Sequence, residues 1–178
     1  VAKRKIILYI ATSLDGFIAD RNGNIDWLST NVDSSEIDTS YEDFYQQVDT
    51  VILGRTTYDQ VTQVLSPDNY PYSDSTSYVL TSRPGESAES IIFTDQPVVE
   101  IVNNLKQTNG GNVFIVGGAS IIQPLVEANL IDEYQLATIP VILGEGIPLF
   151  KSIKEPVGLQ IKNISTVNNV VYRTYVKN

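Results

Sequence analysis

Two arginines and three glycine turns are the places where this chain could do chemistry. Arg55 directly follows the apolar run Val51-Ile52-Leu53 and Gly54. Arg83 follows Tyr78-Val79-Leu80, separated from it by Thr81 and Ser82. Between Asn22 and Phe150 the only other basic residue is Lys106. Arginine grips phosphate through parallel N–H donors, and open parallel sheets take ligands beyond the carboxyl ends of their strands. Two scarce guanidinium groups at strand ends therefore suggest an anion site; the alternative is a pair of surface arginines at loop starts. Leu53-Gly54-Arg55-Thr56-Thr57-Tyr58 and Val116-Gly117-Gly118-Ala119-Ser120 both read as strand, glycine, helix. Glycine lets a ligand approach the backbone, and the free N–H groups of a helix start attract phosphate. The third run, Pro140-Val141-Ile142-Leu143-Gly144-Glu145-Gly146-Ile147-Pro148-Leu149-Phe150, marks a turn after a buried strand.

Other chemistries are closed off. The 178 residues include no histidine and no cysteine. That excludes Ser–His–Asp catalysis, thiolate nucleophiles, disulfides and His- or Cys-ligated metals, and no metal site is expected. A proton donor must then be a carboxyl group, a tyrosine, a lysine or water. No G-x-G-x-x-G follows a strand and no P-loop is present. With 12 basic against 21 acidic residues the net charge is -9, a poor match for nucleic acid or an anionic membrane. Nine acids fall between Asp15 and Asp49 (Asp15, Asp20, Asp26, Asp33, Glu36, Asp38, Glu42, Asp43, Asp49) against one base, Arg21, and most of these read as a solvated face.

The elements that must position these residues follow from the apolar pattern. Lys5–Ala11, Thr50–Leu53, Tyr78–Leu80 and Val113–Val116 are short, β-branched and nearly continuous, as parallel strands covered on both faces are. Lys3-Arg4-Lys5 before the first of them imitates a secretion signal, but Ser13 and Asp15 close the run quickly, so it reads as a core strand behind a basic tail. Val98, Ile101, Val102 and Leu105 keep helical spacing, with Pro97 in the first turn, Thr94 or Asp95 near the cap and Gly110-Gly111 at the end. Tyr41, Phe44, Tyr45 and Val48 make a weaker helical face, and a further helix begins after Gly118. Glu133–Ile139, Gly158–Ser165 and Val170–Val176 read as strands, with Asn168-Asn169 as a hairpin turn. The expectation is one α/β domain over residues 1–178: a mostly parallel sheet flanked by helices, with a C-terminal antiparallel hairpin. The polar stretch from Asp20 to Ser40 reads as a long functional loop. No apolar run nears the roughly 18 residues of a membrane span, and a cytoplasmic protein is expected.

Ala11-Thr12-Ser13-Leu14-Asp15-Gly16-Phe17-Ile18-Ala19, Gly54-Arg55-Thr56-Thr57-Tyr58, Leu80-Thr81-Ser82-Arg83-Pro84-Gly85 and Val116-Gly117-Gly118 come in the order seen in dihydrofolate reductases. The Ser-Leu-Asp-Gly element and the ending Ile131-Asp132-Glu133 to Pro148-Leu149-Phe150 are closer to the reductase domain of bifunctional riboflavin-biosynthesis proteins. The whole chain resembles the stand-alone bacterial members of that dihydrofolate-reductase-like family. The resemblance implies NADPH-dependent hydride transfer to a small heterocycle, pteridine-like or ribosylaminopyrimidine-like. It implies cofactor contacts from Gly54, Arg55, Thr56, Thr57, Thr81, Ser82 and Arg83, and from Val116, Gly117, Gly118, Ala119, Ser120 and Ile121. Ala11, Ile18 and Ala19 would line the nicotinamide pocket under a lid from Asp20 to Trp27. Asp15 is the first candidate for proton donor, with a plain turn before Gly16 as the alternative; Asp38, Glu42 and Glu133 are weaker. On the substrate side stand Trp27 (a stacking surface or a core cap), Thr138, and a carboxylate position near Ser40, between Asp38 and Glu42. The threonine-rich acidic motif of the riboflavin reductases is replaced here by Gly-Arg-Thr-Thr-Tyr. The same resemblance implies a homodimer. The competing reading is a non-catalytic nucleotide-binding protein that kept the fold and lost the chemistry.

Overall fold

The computed structural model describes residues 4–178. Among the described residues ten strands and four α-helices follow one another in this order: β1 Ile6–Thr12, β2 Phe17–Ala19, α1 Ser40–Tyr45, β3 Val48–Gly54, α2 Arg55–Gln60, β4 Thr76–Leu80, β5 Ile91–Thr94, α3 Val98–Lys106, β6 Asn112–Gly117, α4 Ala119–Glu127, β7 Glu133–Thr138, β8 Ile147–Pro148, β9 Leu159–Val167 and β10 Val170–Lys177. Eight strands form one sheet in the order β5-β4-β3-β6-β1-β7-β10-β9, and β2 and β8 form a small antiparallel pair. Six neighbours, β5 to β7 in that order, run parallel, while β10 is antiparallel to both β7 and β9. This is the parallel sheet with a C-terminal hairpin that the sequence pattern predicts.

Burial explains why the inner strands are apolar on both sides. On one face, Ile6, Leu8, Ile52, Val113 and Ile115 pack beneath Val98, Ile101, Val102 and Leu105 of α3 and Ile121, Ile122, Leu125 and Val126 of α4. On the other, Ile7, Val51, Leu53 and Phe114 pack beneath Phe44 of α1. A third cluster, Trp27, Ala137, Ile139 and Val170, joins the long loop to the hairpin strands. Asn168 and Asn169 both take left-handed φ values, 52° and 69°, as a two-residue type I′ hairpin requires.

Several boundaries differ from expectation. Arg4 and Lys5 are no tail: Arg4 is buried, donating to Asp49, Thr50 and Gly111, and Lys5 bonds Glu133. Lys3 lies outside the described residues. Pro97 precedes α3 in an extended conformation rather than sitting in its first turn, and α3 ends at Lys106, before the two glycines. Val48 opens β3 instead of closing α1. Within the long loop, Asp26–Ser29 forms a 3-10 turn that turns Trp27 inward.

Candidate functional site

The carboxyl ends of β1, β3, β4 and β6 open onto one cleft of about 700 Å³. Its walls include Ala11, Ile18 and Ala19 from the first two strands; Gly54, Arg55, Thr56 and Thr57 after β3; Thr81, Ser82 and Arg83 after β4; and Val116, Gly118, Ala119, Ser120 and Ile121 around β6. The expected cofactor residues are thus brought together, apart from Gly117, which is buried beneath the turn. Gly117 has φ 121°, a value only glycine adopts without strain, and the Gly117–Gly118 peptide is cis. Gly23 and Ile25 of the expected lid also border the cleft; sequence reasoning missed Leu28, Gln60 at the end of α2, Val61 and Leu65 beyond it, and Tyr72. The Gln60 amide donates to the Gly23 carbonyl at 3.2 Å, so the loop is docked on α2.

The cleft is built to receive negative charge. Neither α2 nor α4 has a side-chain cap at its start, where Gly54 and Gly118 stand, so the first N–H groups of both helices are free to donate. Arg55 bonds Asp59 at 2.9 Å and lies over the Phe93 ring at 5.4 Å. That fixes one edge of the guanidinium and leaves other donors for a ligand. Arg83 is exposed, and among the described residues it has no carboxylate partner. These features fit a phosphorylated dinucleotide: N–H groups and guanidinium donors for the phosphates, and the apolar Ala11, Ile18 and Ile121 for a flat ring.

Asp15 does not border the cleft. Its carboxylate accepts from the Ser13 hydroxyl at 2.6 Å and from the N–H groups of Leu143 and Gly144 at 3.1 and 2.8 Å. The Ser13 hydroxyl first, then the two N–H groups, holds the carboxyl below the usual carboxylate range. Such an acid is spent as a latch between the β1–β2 turn and the loop before β8, so the turn reading replaces the proton-donor reading. Trp27 is buried with Ala137 and Ile139, its indole N–H donating to Asn24; it caps the core and offers no stacking face, whereas its neighbour Leu28 reaches the cleft. Thr138 accepts from Arg173 at 3.0 Å and lies outside the cleft walls. Glu42 is exposed on α1. Glu133 is buried between Lys5 and Lys162 at the far end of β7 and ties strands together. Asp38 also lies outside the cleft walls, on the loop before α1. One oxygen accepts from the Ser40 N–H and hydroxyl at 2.9 and 2.5 Å, and the other accepts from the Tyr172 hydroxyl. Burial pushes its carboxyl up, but these hydrogen bonds outweigh burial and bring it below the usual range.

Sheet order, strand-end cleft and paired arginines define a dihydrofolate-reductase-like α/β protein with a nucleotide-sized cleft. The chain matches the RibD C-terminal domain over residues 4–172, and it belongs to that family. It is 43% identical to the uncharacterized protein YwjB of Bacillus subtilis over 98% of this chain and 99% of the relative. Among solved structures, the Thermotoga maritima diaminohydroxyphosphoribosylaminopyrimidine deaminase/5-amino-6-(5-phosphoribosylamino)uracil reductase superposes with a TM-score of 0.72 at 17% identity, over 99% of this chain and 57% of that one. Dihydrofolate reductase from Enterococcus faecalis, solved with NADP(H), gives 0.63 at 23% identity, over 98% and 96%. At these identities the two structures speak to the fold.

Proposed function

We propose that the protein is an NADPH-dependent reductase that transfers a hydride to a small heterocyclic substrate, of pteridine or ribosylaminopyrimidine type, in the cytoplasm. The observation that carries this reading is the convergence of Arg55, Arg83 and two uncapped helix starts on one cleft in a chain of net charge -9. The bound reduced nicotinamide supplies the hydride. The chain supplies the rest. Arg55 and Arg83 take the 2′-phosphate and neighbouring phosphate oxygens, with Thr56, Thr57, Thr81 and Ser82 beside them. Gly118 lets the chain approach the phosphates closely. Ala11, Ile18 and Ile121 exclude water from the ring face. The working unit is a homodimer paired through the β9–β10 hairpin.

The test is the fluorescence of NADPH titrated with folded protein. Saturable enhancement at micromolar cofactor is the expected result, and its absence rejects the reading. A second reading, a nucleotide-binding protein without turnover, is favoured by the lack of any carboxylate among the cleft walls. Cofactor binding without oxidation across a panel of pterins and ribitylaminopyrimidines would select it.

A further inference from the structure

Three tyrosines pack together against the inner strands. Tyr72 meets Tyr70 at 5.4 Å, Phe114 of β6 at 5.9 Å and Tyr45 of α1 at 6.3 Å between ring centroids. Two of the three hydroxyls are paired with serines, Tyr45 with Ser75 and Tyr70 with Ser77, each at 2.8 Å. The Tyr72 side is different. Tyr72 is only 8% exposed, yet its hydroxyl has no hydrogen-bond partner among the described residues. Nor is that hydroxyl sealed in the core: the fully buried side-chain atoms without a partner are the Tyr134 hydroxyl and the Arg173 Nε. Of the three tyrosines, Tyr72 is the one that borders the cleft. A tyrosine hydroxyl so deeply placed ordinarily has a partner, and its open side here is the cleft.

The surroundings say what kind of partner. The Phe93 ring under Arg55 is joined to Tyr72 through Tyr58 and Tyr70, so Tyr72 stands apart from that guanidinium. Ile25, Leu28, Val61 and Leu65 give the cleft apolar walls. Among the described residues, the ionisable side chains lining it are Arg55, Arg83 and Tyr72, and no carboxylate joins them. Burial first, then the neighbouring Tyr41, Tyr70 and Tyr45, pushes the Tyr72 phenol above its ordinary range, so it is a neutral donor at physiological pH. Each of these three groups therefore donates. A ligand edge that meets them must accept.

We propose that Tyr72 determines substrate specificity: its hydroxyl donates to a ring carbonyl, so the cleft takes a flat, uncharged heterocycle by a carbonyl edge and not by an amino-substituted one. The proposal rests on the reductase reading and narrows its substrate class. A carbonyl oxygen completes the hydrogen bonding of the buried hydroxyl. An amino edge brings N–H donors to a donor, with no carboxylate to receive them.

The experiment uses protein saturated with NADP+, which has no hydride to give, and two rings of one shape, 2,4-dioxopteridine and 2,4-diaminopteridine, titrated by calorimetry. The dioxo ring is expected to bind about fivefold or more tighter than the diamino ring, the value of a hydrogen bond made against one left unmade. Tyr72→Phe keeps the packing and removes the donor. It is expected to weaken the dioxo ring about fivefold, with the diamino ring and the cofactor unchanged. Its urea midpoint is expected to match or exceed that of the unaltered protein, because the hydroxyl has no protein bond to lose. Tyr70→Phe is the control: it loses the Ser77 bond, so its midpoint should fall while ring binding stays the same. Equal or tighter binding of the diamino ring, no loss of the dioxo ring in Tyr72→Phe, an equal loss of both rings, or a midpoint that falls as far as in Tyr70→Phe would each overturn the proposal. So would a protein that binds the cofactor and neither ring. A protein that binds no NADP+ or NADPH strikes the reductase reading, and this proposal with it.

Discussion

Asp15 and Asp38 are both acids hydrogen-bonded to a serine two residues away, yet the fold uses them differently. Asp15 spends its oxygens on Ser13 and two backbone N–H groups of a loop 128 and 129 residues on. Asp38 bonds Ser40 on one oxygen and Tyr172 of β10 on the other, tying the loop before α1 to the hairpin. Sequence could not separate them, because the partners that decide their roles, Leu143 and Tyr172, are distant in the chain. The glycine and arginine positions were legible, since each follows directly from where a buried strand must end. That same logic yields the sharpest residue-scale prediction. Arg55→Ala and Arg83→Ala should each weaken NADPH about tenfold or more, the cost of losing charge-assisted hydrogen bonds, and weaken NADH much less. Parallel titrations of the two cofactors measure this; equal losses would place both arginines away from the 2′-phosphate.

Long, strongly patterned elements were readable, and short ones were not. α3 shows its buried stripe at helical spacing, and β1, β3 and β6 show continuous apolar runs. β5 is a four-residue edge strand and β8 only two residues, too short for any periodicity to register. Six-residue α1 gave no register for its acids, which is why the carboxylate near Ser40 stayed open between Asp38 and Glu42. The hairpin turn was legible as Asn-Asn, but its second task was not: Asn168 accepts from the Glu36 N–H and donates to the Glu36 carbonyl, holding the loop that carries Asp38. Asn168→Ala should therefore cost about 2 kcal/mol, from left-handed strain plus the lost loop bonds. Asn168→Gly should cost less, because it removes only the bonds. Urea midpoints of the three proteins decide it; equal stability of the alanine and glycine variants would mean the turn conformation is not the stressed element.

The charge of the whole chain bears on how two copies could meet. A molecule of net charge -9 repels its twin wherever carboxylates face each other. The outer sheet face past the helices is the exception. There, beside the buried Tyr134 and Leu136 of β7, the register lines up Tyr175, Arg173 and Val171 of β10 with Ile161 and Ile164 of β9, with no acid among them. Ile161 is 61% exposed and Ile164 55% exposed, unusual for isoleucines within a sheet. The two strands are each about 30 Å long, the scale of a standard interface, and tyrosine and arginine at the centre of an apolar patch are what tight interfaces select. Light scattering should give about twice the 19.7 kDa mass of one chain. Ile164→Glu, which places a carboxylate on the face of each copy, should give single chains with unchanged far-ultraviolet circular dichroism and unchanged NADPH binding, because the cleft lies at the strand ends, away from this face. A wild-type protein that stays at one-chain mass at tens of micromolar, or a glutamate variant that still pairs, would remove this face as the meeting surface while leaving the cofactor cleft as it stands.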